Sequence, residues 1–161
     1  HDDPSPQYIR FDRAGIENIY AAGTIDPTRG VIEARRGRDL CFIATGVMVH
    51  QALKVAEDLE RKGIHAGVVD VCRLKPVNTD LLLHYLEPYP RAVTLEEHQL
   101  AGGLGSIVAE IFVDRGVVTP TLRIGQQDRF VFDNGGRQAI WEKYGLDRES
   151  VGARVEAFAR A

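Results

Sequence analysis

The sequence predicts a three-layer α/β/α domain. Two observations carry the prediction. Short apolar runs alternate with stretches of roughly ten to fifteen residues whose apolar positions recur at helical spacing, the rhythm of right-handed βαβ crossovers about a parallel sheet covered on both faces. The composition, 44% hydrophobic and 27% charged over 161 residues, is that of one ordinary globular unit large enough to bury a continuous core without metal or disulfide support.

Taken in order, His1 to Pro6 is acidic and proline-rich and reads as linker. Tyr8 to Phe11 is a short alternating stretch that ends in the charged turn Asp12-Arg13-Ala14-Gly15, so residues 1–30 look like the tail of another unit and 31–161 like the domain. Val31 to Arg35 is a short, charge-rich strand. The gap to the next strand is too small for a crossover helix, which predicts an antiparallel edge position. Leu40 to Ala44 is continuously apolar, as a strand buried on both faces should be. Thr45-Gly46 turns the chain into a helix carrying Val49, Ala52, Leu53, Ala56 and Leu59 on one face, stopped by Lys62-Gly63.

Ala66 to Cys72 predicts a second buried strand, Lys75-Pro76 a turn, and Asn78 or Thr79 the cap of a helix with Leu81, Leu82 and Tyr85. Ala92 to Leu95 is a third buried strand. Gly102-Gly103-Leu104-Gly105 reads as a tight loop, followed by a helix whose stripe is Ile107, Val108, Ile111 and Phe112 and whose end is Arg115-Gly116. Thr121 to Ile124 is the last strand. Two closing helices, Gln138 to Tyr144 and Val151 to Phe158, are separated by the stop Gly145 and the cap Asp147.

The formal charge of −3 gives no electrostatic reason for a nucleic-acid or anionic-membrane partner, and no apolar run approaches the roughly 20 residues that span a bilayer. Arg35, Arg36 and Arg38, interleaved with Glu33, Gly37 and Asp39, read as a solvated strand end. Cys41 and Cys72 lie in apolar stretches and read as small, inert, buried hydrophobes, which fits a reducing, cytoplasmic setting. His50, His65 and His84 each lack a second ligand at helical spacing, so no metal site is expected. Asp70 reads as a strand-end carboxylate satisfied by backbone N–H groups.

Ligands of open parallel sheets gather at the carboxyl ends of the strands, and the richest such position is Glu96-Glu97-His98 followed by Gly102-Gly103-x-Gly105. A carboxylate beside an imidazole can move protons, and a glycine-rich helix entrance can hold an anion. The spacing is not G-x-G-x-x-G, however, it follows the third strand of the buried series, and no P-loop lysine accompanies it. Glu97, His98, Gly102 and Gly103 are therefore expected to form a strand-end loop or interface, and acidic neighbours there to cap the next helix or pair across a contact. No residue is assigned to catalysis, cofactor binding or metal.

The ordered set Pro6-x-Tyr8-Ile9-Arg10-x-x-Arg13, Gly37-Arg38-Asp39-Leu40, Ile43-Ala44-Thr45-Gly46, Val69-Asp70, Leu74-Lys75-Pro76, Glu96-Glu97-His98, Gly102-Gly103-Leu104-Gly105-Ser106 with Glu110, Gly125 with Asp128-Arg129-Phe130, and Lys143-Tyr144-Gly145-Leu146 resembles a known domain. It is similar to the C-terminal domain shared by transketolase, 1-deoxyxylulose-5-phosphate synthase and the beta subunits of 2-oxoacid dehydrogenases. Lys143 to Leu146 and His98 lean toward transketolase. The resemblance implies a five-stranded mixed sheet with one antiparallel strand, joined after pyrophosphate- and pyrimidine-binding domains in a homodimer or heterotetramer, the homodimer being favoured. In the complete enzyme it implies thiamine diphosphate with a divalent metal, magnesium. It makes residues 1–30 the tail of the pyrimidine-binding domain and places Arg13 where an arginine contacts the substrate phosphate. The family's G-D-G and N-N diphosphate signature is absent, so the domain alone is expected to be inactive and to serve assembly.

Overall fold

In the computed structural model, residues 6, 8, 12 and 15–161 are described. A 3₁₀ turn at Pro27–Arg29 precedes β1 (Ile32–Arg35), β2 (Leu40–Ala44), α1 (Met48–Arg61), β3 (Ala66–Asp70) and α2 (Thr79–Leu86). These are followed by β4 (Ala92–Gln99), α3 (Leu104–Asp114), β5 (Thr121–Gln126), α4 (Gly136–Tyr144) and α5 (Arg148–Arg160). The strands form one five-stranded mixed sheet in the order β1-β3-β2-β4-β5. β1 runs antiparallel at the edge, where it pairs with β3, and every other pair is parallel.

Two apolar clusters make this a three-layer structure. Leu40, Phe42, Val68, Val93 and Leu95 pack under α1 and the closing helices with Val55, Leu59, Trp141, Val151 and Val155. Cys41, Ile43 and Val69 face the other way, against Leu82 and Leu86 of α2 and Val108 and Phe112 of α3. The alternation of Phe42 and Ile43 between the two clusters is the period-two consequence of a strand buried on both faces. Each such residue is completely buried, and each contributes about 1.5–3 kcal/mol of transfer free energy.

The helix signals act where the sequence puts them. Gly63 takes a positive φ of 80° after the last turn of α1, and Gly145 is the left-handed cap of α4. The Asn78 side chain accepts from the Leu81 N–H at 3.2 Å, and Asp147 accepts from the N–H groups of Glu149 and Ser150, each at 3.0 Å.

Three expectations are corrected. β4 continues past Leu95 to Gln99, so Glu96, Glu97 and His98 belong to a strand, and Gly105 sits inside the first turn of α3, not in a loop. Pairing of β4 with β5 resumes at Gln99 with Gln126 after an irregularity, which prolongs the strand beyond its apolar part. Cys72 is exposed, because β3 ends at Asp70 and the chain has already turned out of the sheet. Asp70 accepts from the phenol of Tyr20 at 3.1 Å. The stretch Tyr8 to Phe11 and the phosphate candidate Arg13 lie outside the described residues, apart from Tyr8.

Candidate functional site at the carboxyl edge of the sheet

The connection from β2 to β3 carries α1 over one face, whereas the later crossovers carry α2 and α3 over the other. The winding therefore reverses between β2 and β4, and the crevice at their carboxyl ends is where an open α/β sheet would take a ligand. Here that edge is filled largely by the chain itself.

Glu96, fully buried at the end of the apolar part of β4, turns its carboxylate onto the start of α3. Its Oε2 accepts from the Leu104 N–H at 2.7 Å and its Oε1 from the Gly105 N–H at 2.8 Å. The helix entrance that could have held an external anion holds this one. The glycines follow from the same geometry. A Cβ at Gly103 would lie 2.0 Å from Glu96 Oε2, and one at Gly105 2.7 Å from Arg123 Nε and 2.8 Å from Thr94 Oγ1. Gly102 serves the turn instead, with φ of 73° and open space about it. Ser106 ties the loop down: its Oγ donates to the Leu100 carbonyl at 2.8 Å and accepts from the Gly102 N–H and an Arg123 guanidinium N–H, both at 3.0 Å.

Glu97 points to the other face. Its Oε1 accepts from Arg137 Nε at 3.1 Å and from Trp141 Nε1 at 2.9 Å, and Arg137 Nη2 in turn donates to Asp12 Oδ2 at 2.5 Å. Beside this network Gly15 and Ile16 face Val47, His50 and Trp141 across a cleft. Ile19 packs on the core and Tyr20 reaches Asp70. Asp12 thus lies against α4 and Tyr20 against the end of β3. Burial together with nearby Lys54 holds the His50 imidazole below its ordinary pKa.

Of the residues singled out in the sequence, His98, Gly102 and Gly103 share the lining of a second cleft, of about 480 Å³, with Leu74 and Ile107. Glu97 is turned away from them into the Arg137 network, so the structure does not bring Glu97 and His98 together as an acid–base pair. Arg35, Arg36 and Arg38 pair with Glu60, Glu33 and Asp39. Asp12, Arg137 and Trp141 were not anticipated. The one available signal was that Trp141 is the only tryptophan of the chain.

Burial pushes the Asp70 carboxyl above the usual carboxylate range, with the Tyr20 hydrogen bond opposing it. The folded state therefore keeps this proton to higher pH than the unfolded state does. The stabilisation is complete below the unfolded pKa and is lost as pH rises through the folded one. Asp70→Asn is expected to remove that part of the pH dependence. Thermal midpoints of the two proteins across the acidic range should diverge as the wild type declines with rising pH, and parallel curves would contradict the assignment.

Thiamine diphosphate does not fit the residues present. The Leu104 and Gly105 N–H groups that could receive a diphosphate are taken by Glu96, and among the described residues no three His, Cys, Asp or Glu side chains converge as a metal site. Among those residues too, no helix is long and apolar enough to cross a membrane.

Comparison with known proteins bears on this arrangement. The family model described as "Transketolase, C-terminal domain" matches residues 29–151. A 1-deoxy-D-xylulose-5-phosphate synthase of Thermomicrobium roseum is 39% identical over 124 residues, covering 77% of this chain and 20% of that protein. A putative transketolase C-terminal section of Methanocaldococcus jannaschii is 36% identical over 154 residues, covering 93% of this chain and 47% of its own length. A solved split-gene transketolase, an inactive β4 tetramer, superposes with a TM-score of 0.80 at 35% identity, covering 90% of this chain and 47% of that one. The chain thus spans between about a fifth and about a half of these relatives.

Proposed function

The chain belongs to the transketolase C-terminal domain family, and from that membership we propose that it is the third domain of a thiamine diphosphate-dependent enzyme moving a two-carbon ketol unit between sugar phosphates. Its part is to shape and hold the assembly. Pyrophosphate- and pyrimidine-binding domains, in the same chain or a separate subunit, hold the coenzyme with magnesium and carry out the chemistry. Residues 1–30 are the connection to the pyrimidine-binding domain. The complete enzyme is a cytoplasmic dimer without nucleic-acid or membrane partners.

The observation that supports this reading most directly is the occupied carboxyl edge. Glu96 fills the anion-binding helix entrance and Glu97 is engaged by Arg137 and Trp141, so the strand ends are committed to the chain's own segments. Such an edge suits a docking and connecting role. Mixing this chain with a polypeptide bearing the other two domains should restore ketol transfer that neither shows alone. Equal turnover with and without this chain would end the proposal.

Arg13 is proposed as the one substrate contact, its paired N–H donors matching a phosphate. In the complete enzyme Arg13→Ala should raise KM for phosphorylated sugars about tenfold or more, the loss of a charge-assisted pair, and leave unphosphorylated ones much less affected. Equal effects on both would remove the assignment.

The 39% identity to the Thermomicrobium synthase favours a second reading, the corresponding domain of a 1-deoxyxylulose-5-phosphate synthase. A 2-oxoacid dehydrogenase beta subunit is a third branch of the same family. Formation of 1-deoxyxylulose 5-phosphate by the reconstituted enzyme, in place of ketol transfer, would decide for the synthase.

A further inference from the structure

The loop that joins β5 to α4, residues 127–135, carries Asp128-Arg129-Phe130, which no part of the site described above uses. Its two phenylalanines face solvent. Phe130 is 86% and Phe132 87% exposed, and their ring centres lie 5.9 Å apart, the separation of an aromatic pair in contact. Neither ring joins either apolar cluster of the domain, so folding does not account for them. The loop that displays them is tied to α4 on both sides of the pair. The Arg129 guanidinium lies 4.4 Å from the centre of the Tyr144 ring, and the Asp133 carboxylate accepts from the Tyr144 hydroxyl and the Lys143 ammonium. The rings thus form a patch set in place before any partner arrives, which lowers the ordering cost of binding.

Size and place decide what the patch fits. Two exposed phenylalanines present roughly 300–400 Å². A stable complex between free proteins buries about 800 Å² on each partner, so this patch is too small to hold a second copy of the chain. It suffices for a partner already tethered, whose concentration at the patch is set by the linker and not by the solution. Such a tether lies at the same end of the molecule. Phe132 stands five positions before Arg137, a span of at most about 18 Å, and Asp12, within residues 1–30, lies against Arg137 at 2.5 Å.

We propose that Phe130 and Phe132 are a docking surface for the pyrimidine-binding domain to which residues 1–30 lead. The two rings are its apolar centre, and Asp128, Arg129 and Asp133 its charged rim. The inference rests on the three-domain reading given above and names the contact that reading requires.

Hydroxyl-radical labelling of the isolated chain and of the complete enzyme tests it. In the complete enzyme both phenylalanines should react about fivefold more slowly or less, as expected of anchors from which a partner excludes water. Equal labelling in the two overturns the docking surface. The variant Phe130→Ser/Phe132→Ser should leave the thermal midpoint of the isolated chain unchanged and lower that of the complete enzyme. An equal loss in both would mean that the rings serve this domain's own fold, and overturns the proposal. Self-association of the isolated chain that the double variant abolishes would give the patch to a second copy, and overturns it too. Labelling is read apart from turnover. Protected rings in an enzyme without ketol transfer uphold the docking and contradict the functional reading, whereas full ketol transfer with unprotected rings does the reverse.

Discussion

Alanine at Gly103 should cost the domain about 4 kcal/mol, a loss at the upper end of single-substitution effects. The backbone there is not the obstacle, since φ of −86° and ψ of −166° are open to any L-residue. The obstacle is space. The new methyl would sit 2.0 Å from Glu96 Oε2 and 2.4 Å from the Gln99 carbonyl oxygen. One of these is backbone. The other belongs to a carboxylate that is wholly buried and fixed by two N–H donors, so neither can retreat without breaking the start of α3. Gly102 makes the opposite case one residue earlier: its φ is left-handed but nothing lies within 4 Å of a Cβ, and alanine should cost only about 1 kcal/mol. Urea denaturation of the two variants should rank Gly103→Ala far below Gly102→Ala. The reverse order would mean that the loop, and not the Glu96 contact, requires the glycines.

Removal of the carboxylate itself comes next in size. Glu96→Ala leaves the Leu104 and Gly105 N–H groups facing a hole in the interior, and should destabilise by about 3 kcal/mol, the cost of charge-assisted bonds lost with their donors left unpaired. Glu97→Ala, its neighbour, gives up bonds to Arg137 and Trp141 at a position about one-third exposed and should cost about 1 kcal/mol. Loss of the first glutamate thus costs about three times as much free energy as loss of the second, and only the second touches Arg137 and Trp141. If Glu97→Ala proved the more damaging for folding, the contrast between a buried, helix-capping Glu96 and a partly exposed Glu97 would be wrong.

The sequence made the fold legible wherever the local pattern and the tertiary outcome agree. The apolar run Leu40 to Ala44 is β2, Gly63 and Gly145 end their helices, and Asn78 and Asp147 begin theirs. It failed where a residue's environment is made by distant chain. Glu96 caps the next helix, as the acidic strand end suggests, but it looks like a loop residue because carboxylates avoid strands and cores; it is buried in a strand because α3 returns its N–H groups there eight and nine positions later. Cys72 was misjudged for the converse reason: it continues an apolar run whose strand stops at Asp70. The pairing of Asp12 with Arg137 was invisible, since no sequence pattern links them, and Tyr20 as the partner of Asp70 was equally hidden. Family resemblance, carried by motifs whose roles are mostly steric, supplied what periodicity could not.

Whether these strand ends are closed to the coenzyme is most directly measured by calorimetric titration of thiamine diphosphate with magnesium into the isolated chain. With Glu96 seated on the α3 entrance, no saturable heat is expected. Stoichiometric uptake by these 161 residues would contradict a purely architectural domain.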